Sequence, residues 1–374
     1  MKKLIIILVA FSLLLVSSYA MASVHGTWNV DRIEKSILKI GKAKPVTEIE
    51  NIPDVWLFKD DNSFTSTYLL GAWSQKGASF TITVAPEQMS AFIESEFLSE
   101  GMPVSATIKK LRIYGSEKKD WTIKGKYEIK ASLVFPDSST GTLDIKGSFT
   151  GRPPYDTAEY FPLGQGDTWT TKEIDTEDGE NVEEIETTLI SGTEKIKGVF
   201  AVKKIQVDDN PAEVDYDLWT NTNGLKHYKS YDIDFDEDVV EDEDITTYNP
   251  PVMYLPPRMS VGTRHAFKST ITAKEIPGST VTVKLTGNVT VEGFEEVEVP
   301  AGKFADCIKI KIVSDFVAKK TNATGHEEST VWLAKGVGVV REEGYGLNNE
   351  DGETNESTWI SELLSATVSG VNYP

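Results

Sequence analysis

Gly151-Arg152-Pro153-Pro154, running on into Tyr160-Phe161-Pro162-Leu163-Gly164-Gln165-Gly166-Asp167-Thr168-Trp169, is the joint of this chain. Proline and glycine punctuate it, and alternating strand patterns stop before it and restart after it. The charge changes there as well. Residues 23–153 carry 17 Lys+Arg against 16 Asp+Glu, whereas residues 154–374 carry 19 against 42. The stretch therefore reads as a connection between two β-rich domains, 23–153 and 154–365, with a loose tail over 366–374. A length of 374 residues fits two domains.

Residues 1–22 read as a targeting leader. Lys2 and Lys3 form a basic start, Leu4–Val16 an apolar run broken only by Ser12, and Ala20-Met21-Ala22 a small-x-small cleavage site. The apolar run is shorter than the ~20 residues a membrane span needs. The mature chain is expected to begin at Ser23, exported to the periplasm or the exterior, with no stable membrane insertion after cleavage. No cysteine follows the apolar run, so a lipoprotein anchor is not expected. The single cysteine, Cys307, sits in the alternating run Cys307-Ile308-Lys309-Ile310-Lys311-Ile312, off the isoleucine face. It reads as a small buried residue if both faces are covered.

The net charge of −20 excludes nucleic acid as a partner and disfavours anionic lipid. An acidic second half suits divalent cations or a basic protein partner.

In the first half, strands are expected at Gly26–Val30, Val55–Phe58, Ser63–Leu69, Ser79–Val84, Val104–Tyr114, Asp120–Lys130, Ala131–Phe135 and Gly141–Thr150. Lys59-Asp60-Asp61-Asn62 supplies a hairpin turn. Pro86–Glu100 reads as one helix: Pro opens it, Gly101 follows it, and Met89, Phe92, Ile93 and Phe97 form an apolar stripe. The pattern predicts an antiparallel sheet with one wet face, closed or nearly so. Gly26-Thr27-Trp28, Phe58…Asp60-Asp61-Asn62-Ser63-Phe64 and Gly71-Ala72-Trp73 resemble the start of small secreted bacterial lipocalin-like domains. That resemblance implies an up-and-down barrel, plugged at its base by the Trp of Gly-x-Trp, that binds small apolar molecules. The Thr-Asp-Tyr motif of true lipocalins is missing. On this reading the helix is a lid, and Trp28, Trp73, Met89, Phe92, Phe97 and Trp121 line an apolar cavity. The alternative is that the helix stripe is ordinary core.

The second half opens with a hairpin around Glu177-Asp178-Gly179-Glu180 and continues as strands to Leu364. It is expected to form a β-sandwich or an open barrel. Phe161-Pro162-Leu163-x-x-Gly166-x-x-Trp169, Val297-x-Val299-Pro300-Ala301-Gly302-x-Phe304-x-Asp306-Cys307 and Val331-Trp332-Leu333-Ala334-x-Gly336-Val337-Gly338 resemble uncharacterised secreted β-rich bacterial proteins. That resemblance implies fold and location, not chemistry. Pro257…Gly262-x-x-His265 echoes Pro162…Gly166-x-x-Trp169, as two related halves would. Asn249-Pro250-Pro251 and Leu255-Pro256-Pro257 read as a stiff extended connector.

Catalytic signals are sparse. His25, His227, His265 and His326 are scattered, and none has a His or Cys partner at metal-ligand spacing. There is no Gly-x-Ser-x-Gly elbow, and Gly336-Val337-Gly338 lies in a strand pattern rather than at a helix start. A hydrolase working through two carboxylates stays open, but no pair stands out among 42 acids. The acidic run is the clearest candidate for a metal. In an extended strand Asp232, Asp234, Asp236 and Asp238 point one way, about 7 Å apart. A bound Ca2+ would relieve their repulsion, although the Gly and spaced Glu of an EF-hand are missing. The plainer reading is a solvated acidic excursion. The chain thus reads as all-β, exported, and more a binding or interaction module than an enzyme. Three functions remain: a barrel for a small apolar ligand, a scaffold with a calcium- or partner-binding acidic loop, and a carboxylate hydrolase.

Overall fold

The computed structural model describes residues 24–177, 180–207, 213–236, 239–276, 280–318, 323–350 and 353–374. Residues 1–23, with the segment expected to be a leader, lie outside them. The chain forms two closed antiparallel barrels, the first of eight strands and the second of twelve.

The first barrel runs β1 (Gly26–Ile40), β2 (Val46–Phe58), β3 (Ser63–Thr65), β4 (Leu70–Lys76), β5 (Ser79–Thr83), helix α1 (Pro86–Ser99), β6 (Ser105–Glu117), β7 (Ile123–Val134) and β8 (Thr140–Arg152). β1 closes it by pairing with β8 from Asn29↔Arg152 to Ile40↔Gly141. Period-two alternation sends Trp28, Val30, Trp56, Phe58, Phe80 and Phe149 inward, each buried. Their rings pack edge-on or tilted in a continuous series: Trp56 on Phe149 at 4.5 Å, and Phe58 on Phe64, Trp73 and Phe80 at 5.3–5.4 Å. An eight-stranded barrel is just wide enough for side chains to fill, and these pack along its interior. Helix α1 starts at the expected Pro86 and buries Met89 and Ile93 against this core.

The connection carries β9 (Tyr155–Asp156) and a single turn, α2 (Thr157–Tyr160), N-capped by Asp156. The second barrel is β10 (Thr168–Glu177), β11 (Glu180–Ile196), β12 (Val199–Val207), β13 (Glu213–Thr220), β14 (Leu225–Asp236), β15 (Val239–Leu255), then β17 (Arg264–Ile276), β18 (Thr280–Val299), β19 (Gly302–Ala318), β20 (Thr324–Ala334), β21 (Gly338–Glu350) and β22 (Glu353–Val368). Where the sequence left a sandwich or an open barrel, the sheet closes. β10 pairs with β22 from Thr168↔Thr367 to Glu177↔Ser357, so neither strand keeps a free edge. Short β16 (Arg258–Met259) pairs with β9, and Tyr160 and Met259 are buried in the barrel's core. The turns before β10 and β17 match: Gly166 and Gly262 both have φ +86°. The two six-strand runs, each preceded by a short strand that pairs with the other, give the sequence echo a structural counterpart.

Three expectations are corrected. Asn249-Pro250-Pro251 is not a connector but lies within β15, at a bulge where Thr247 pairs with Lys229 and Val252 with His227. Proline has no N–H to donate, and the β15–β17 ladder ends at Asn249↔Thr270. The acidic run does not break the sheet, because Asp232 pairs with Asp244 and Asp234 with Asp242 inside the β14–β15 ladder. The tail is not loose: β22 reaches Val368, and β23 (Val371–Tyr373) folds back on it.

The barrels meet at the base of the second. Ser260 Oγ accepts a hydrogen bond from Thr27 N at 3.1 Å, Arg264 pairs with Asp60 at 3.0 Å, and Trp121 packs edge-on against His265 at 5.4 Å. Strand direction puts this joint at the end opposite the turns between β10 and β11, β14 and β15, and β21 and β22.

Candidate functional site

The interior of the second barrel is divided. Across β17 to β20 it is apolar: Phe267, Leu285, Val289, Ile308, Ile310 and Leu333 belong to one buried cluster. Across β10 to β15 and β20 to β22 it is polar and contains two cavities of about 460 and 380 Å³. Both are lined by Glu186, Thr188 and Lys204.

The smaller cavity is lined by carboxyls and by apolar groups. Glu173 on β10, Glu186 on β11, Glu327 on β20 and Glu342 on β21 supply the carboxyls. Phe161, Leu163, Ile190, Val339 and the indoles of Trp169 and Trp359 supply the apolar surface. Trp169 is fixed by donating Nε1–H to Val337 O at 2.6 Å. Trp359 lies over Gly344, where a Cβ would collide with the indole, so the glycine makes room for the ring.

Burial raises the pKa of each of these carboxyls. Burial pushes Glu173 up to about 7, helped by the negative charges of Asp175, Glu186, Glu342 and Glu184. Burial raises Glu186 against the opposing pull of Lys204, and it raises Glu342 against hydrogen bonds from Ser329 and Trp359. Glu327 is raised by burial alone.

In the larger cavity Lys204 pairs across strands with Asp217, and Asp217 with Ser230. Above them Asp215, Asp232 and Asp244 form a row across β13, β14 and β15. Burial raises Asp217, but the hydrogen bonds of His227 and Ser230 and the charges of His227 and Lys204 together bring it below its ordinary value. His227 Nε2–H is 3.0 Å from both Asp217 Oδ1 and Lys229 O. Its ring is stacked between Trp219 and Tyr248.

The residues singled out in the sequence are dispersed. Trp28, Trp73 and Met89 are buried in the core of the first barrel, with Phe92 and Phe97 packed against it. Trp28 Nε1 donates to Val24 O and Trp73 Nε1 to Lys59 O. Trp121 is not with them: at φ 58° it turns out of the sheet and onto His265 of the second barrel. Asp232 faces the larger cavity. Asp238 lies outside the described residues, as do the side chains of Asp234 and Asp236. Among the described residues, no three His, Cys, Asp or Glu side chains converge to hold a metal ion. Cys307 is buried with Trp332 and Val299, and burial pushes its thiol up to about 11, away from nucleophilic use. No helix among the described residues is long and apolar enough to cross a membrane.

Sequence reasoning missed Glu173, Glu186, Glu327, Glu342 and Lys204. The available signal was the alternation Trp169, Thr171, Glu173, which puts a carboxyl on the face begun by a tryptophan.

Residues 164–354, the body of the second barrel, match the DUF3108-like family. No curated protein matches the chain in sequence. Two solved structures align with over half of it. One is from Parabacteroides distasonis and assigned to the lipoproteins, with 14% identity, 57% of this chain and 99% of that one covered, and a TM-score of 0.28. The other is from Bacteroides fragilis and assigned to the exported proteins with a YmcC-like fold, with 15% identity, 55% and 98% covered, and a TM-score of 0.27.

Proposed function

This chain belongs to the DUF3108-like family, and we propose that it is an exported, non-enzymatic binding protein that holds a small molecule in the lumen of its second barrel. Export is supported by the leader over residues 1–22. One observation carries the binding reading: the second barrel keeps open volume lined by carboxyls. A barrel that serves only as a scaffold gains stability by filling its interior, and the first one packs a continuous aromatic core there. Open volume forfeits packing, and burying carboxyls opposes folding. Keeping both is explained by an occupant. The first barrel, in which a small apolar ligand was expected, then acts as the rigid support docked at the base.

Native mass spectrometry of the mature chain, purified from its own host, tests this reading. Thr188 lines both cavities, so T188W places an indole in the lumen. The expected result is a mass excess of roughly a few hundred daltons in the parent. It leaves on denaturation and is absent from T188W with an unchanged melting profile. An excess retained by T188W would contradict the reading.

The several carboxyls that line the smaller cavity favour a second reading, a hydrolase with one neutral and one ionised carboxyl. Its test is turnover of glycoside substrates by the parent and its loss in E173Q.

A further inference from the structure

The lumen carries far more negative than positive groups. Eight carboxyls and one ammonium, that of Lys204, line the two cavities. They do not converge on one point, as a metal ion would require. They are spread over several strands, with apolar groups beside them: Trp169 and Ile190 share the inward faces of Glu173 and Glu186, and Trp359 lies two residues from Ser361, which pairs with both Glu173 and Glu342. Building on the binding reading above, we propose that the occupant is an organic cation, an amine or guanidinium on an apolar body, with its charge against the Glu173 and Glu342 carboxyls and its body against Trp359, Leu163 and Ile190.

Each part of that ligand has a counterpart. A cation restores the charge balance that Lys204 alone leaves short. The faces of Trp359 and Trp169 attract cations and bury apolar surface at once. An anionic ligand would meet carboxyls on β10, β11, β13, β14, β15, β20 and β21 and a single cation on β12. A neutral apolar ligand would leave the carboxyls without new partners.

Binding a cation to protonated carboxyls ionises them, so it expels protons. The groups that bear on Glu173 are Asp175 on its own strand, Glu184 and Glu186 on β11, Lys204 on β12, Glu327 on β20 and Glu342 on β21. β22 faces it with uncharged Ser361 and Trp359. All but Lys204 are acids, so they resist ionisation of Glu173 until a cation arrives.

The probes are 4-phenylbutylamine and its uncharged isostere 4-phenylbutanol, titrated into the full mature chain by calorimetry at about pH 6 and about pH 8. The amine is expected to bind about tenfold tighter than the alcohol at the higher pH. Its affinity is expected to rise with pH, and heats measured in buffers of different ionisation enthalpy are expected to report proton release. E173Q, which preserves shape, should lower amine affinity and proton release and leave the alcohol unaffected. Equal affinity for amine and alcohol, both lost in T188W, would overturn the cation proposal and leave the lumen-binding reading standing. Amine binding unaffected by both E173Q and T188W would overturn both. No binding of either probe would overturn the cation proposal, with the mass measurement left to decide the reading beneath it.

Discussion

The ring of His227 lies flat on the indole of Trp219, with centroids 4.3 Å apart and planes 2° from parallel. On the other side Tyr248 packs at 4.5 Å, while Nε2–H of the same histidine points to Asp217. The stack thus holds a cavity-lining carboxylate in its charged form. H227A removes the stacking surface and leaves Asp217 with Ser230 as its remaining side-chain donor. The expected cost is about 2–3 kcal/mol in urea unfolding at neutral pH. Asp217 has a lowered folded pKa, so this contribution is full above its ordinary value of 3.8 and fades as pH falls through the folded value. H227A and parent should converge in stability under acid. A constant difference at all pH values would show that the carboxylate plays no part.

In the first barrel Asp54 is the buried charge on which the sheet depends. Its carboxylate accepts from Trp56 Nε1 and Val55 N at 2.8 Å and from Thr67 N at 3.0 Å, with Arg32 Nε 3.4 Å away. Arg32 also lies over the ring of Tyr68. D54A would orphan these donors and leave Arg32 with only the more distant Glu34 as a partner. A loss of about 3–5 kcal/mol is expected in denaturant unfolding of the full chain. A loss under about 1 kcal/mol would mean that water replaces the carboxylate freely.

Glu173 makes folding pH-dependent in the sense opposite to a paired acid. Its folded value, about 7, lies above the ordinary 4.5, so the folded state holds the proton more tightly. Stability from this group is full below about 4.5 and falls as pH rises through about 7. The penalty above that is on the order of 1–2 kcal/mol once lumen water is allowed for. E173Q should therefore be more stable than parent at about pH 8 and equal near pH 4. Thermal melts across that range decide it. Equal stability at the higher pH would place Glu173 in solvent.

Gly26 ties the two barrels together. At φ 100° it presses against Ser260, and a Cβ there would collide with Ser260 Oγ and Val261 O. G26A combines a disfavoured dihedral with this clash, at about 1–3 kcal/mol. The expected outcome is one calorimetric transition in the parent and two in G26A, as the barrels uncouple. A single shifted transition would show that the remaining contacts suffice.

Much of the fold was legible because the first barrel obeys simple alternation. Trp28 and Val30, or Trp56 and Phe58, mark the inner face without ambiguity. The second barrel does not. Ile185 is 67% exposed while its neighbour Glu186 turns inward, so hydrophobicity points the wrong way along β11. A polar lumen erases the contrast by which a strand's inner face is read, and the carboxyl lining was hidden for that reason. Closure was equally hidden. Thr168 and Thr367 pair across almost the whole second half, and nothing local to β10 or β22 announces it. The Pro250-Pro251 misreading has a local cause: two prolines signal a break, and only the bulge opposite His227 lets a strand absorb them.

A crystal structure of the full mature chain grown with 4-phenylbutylamine is the most direct test of the second barrel as the binding site. The account predicts ordered density in the lumen, with the nitrogen in hydrogen-bond reach of the Glu173 or Glu342 carboxyl and the phenyl ring against Trp359 or Leu163. Density among Trp28, Trp73 and Met89 of the first barrel, with only water in the lumen of the second, would contradict it.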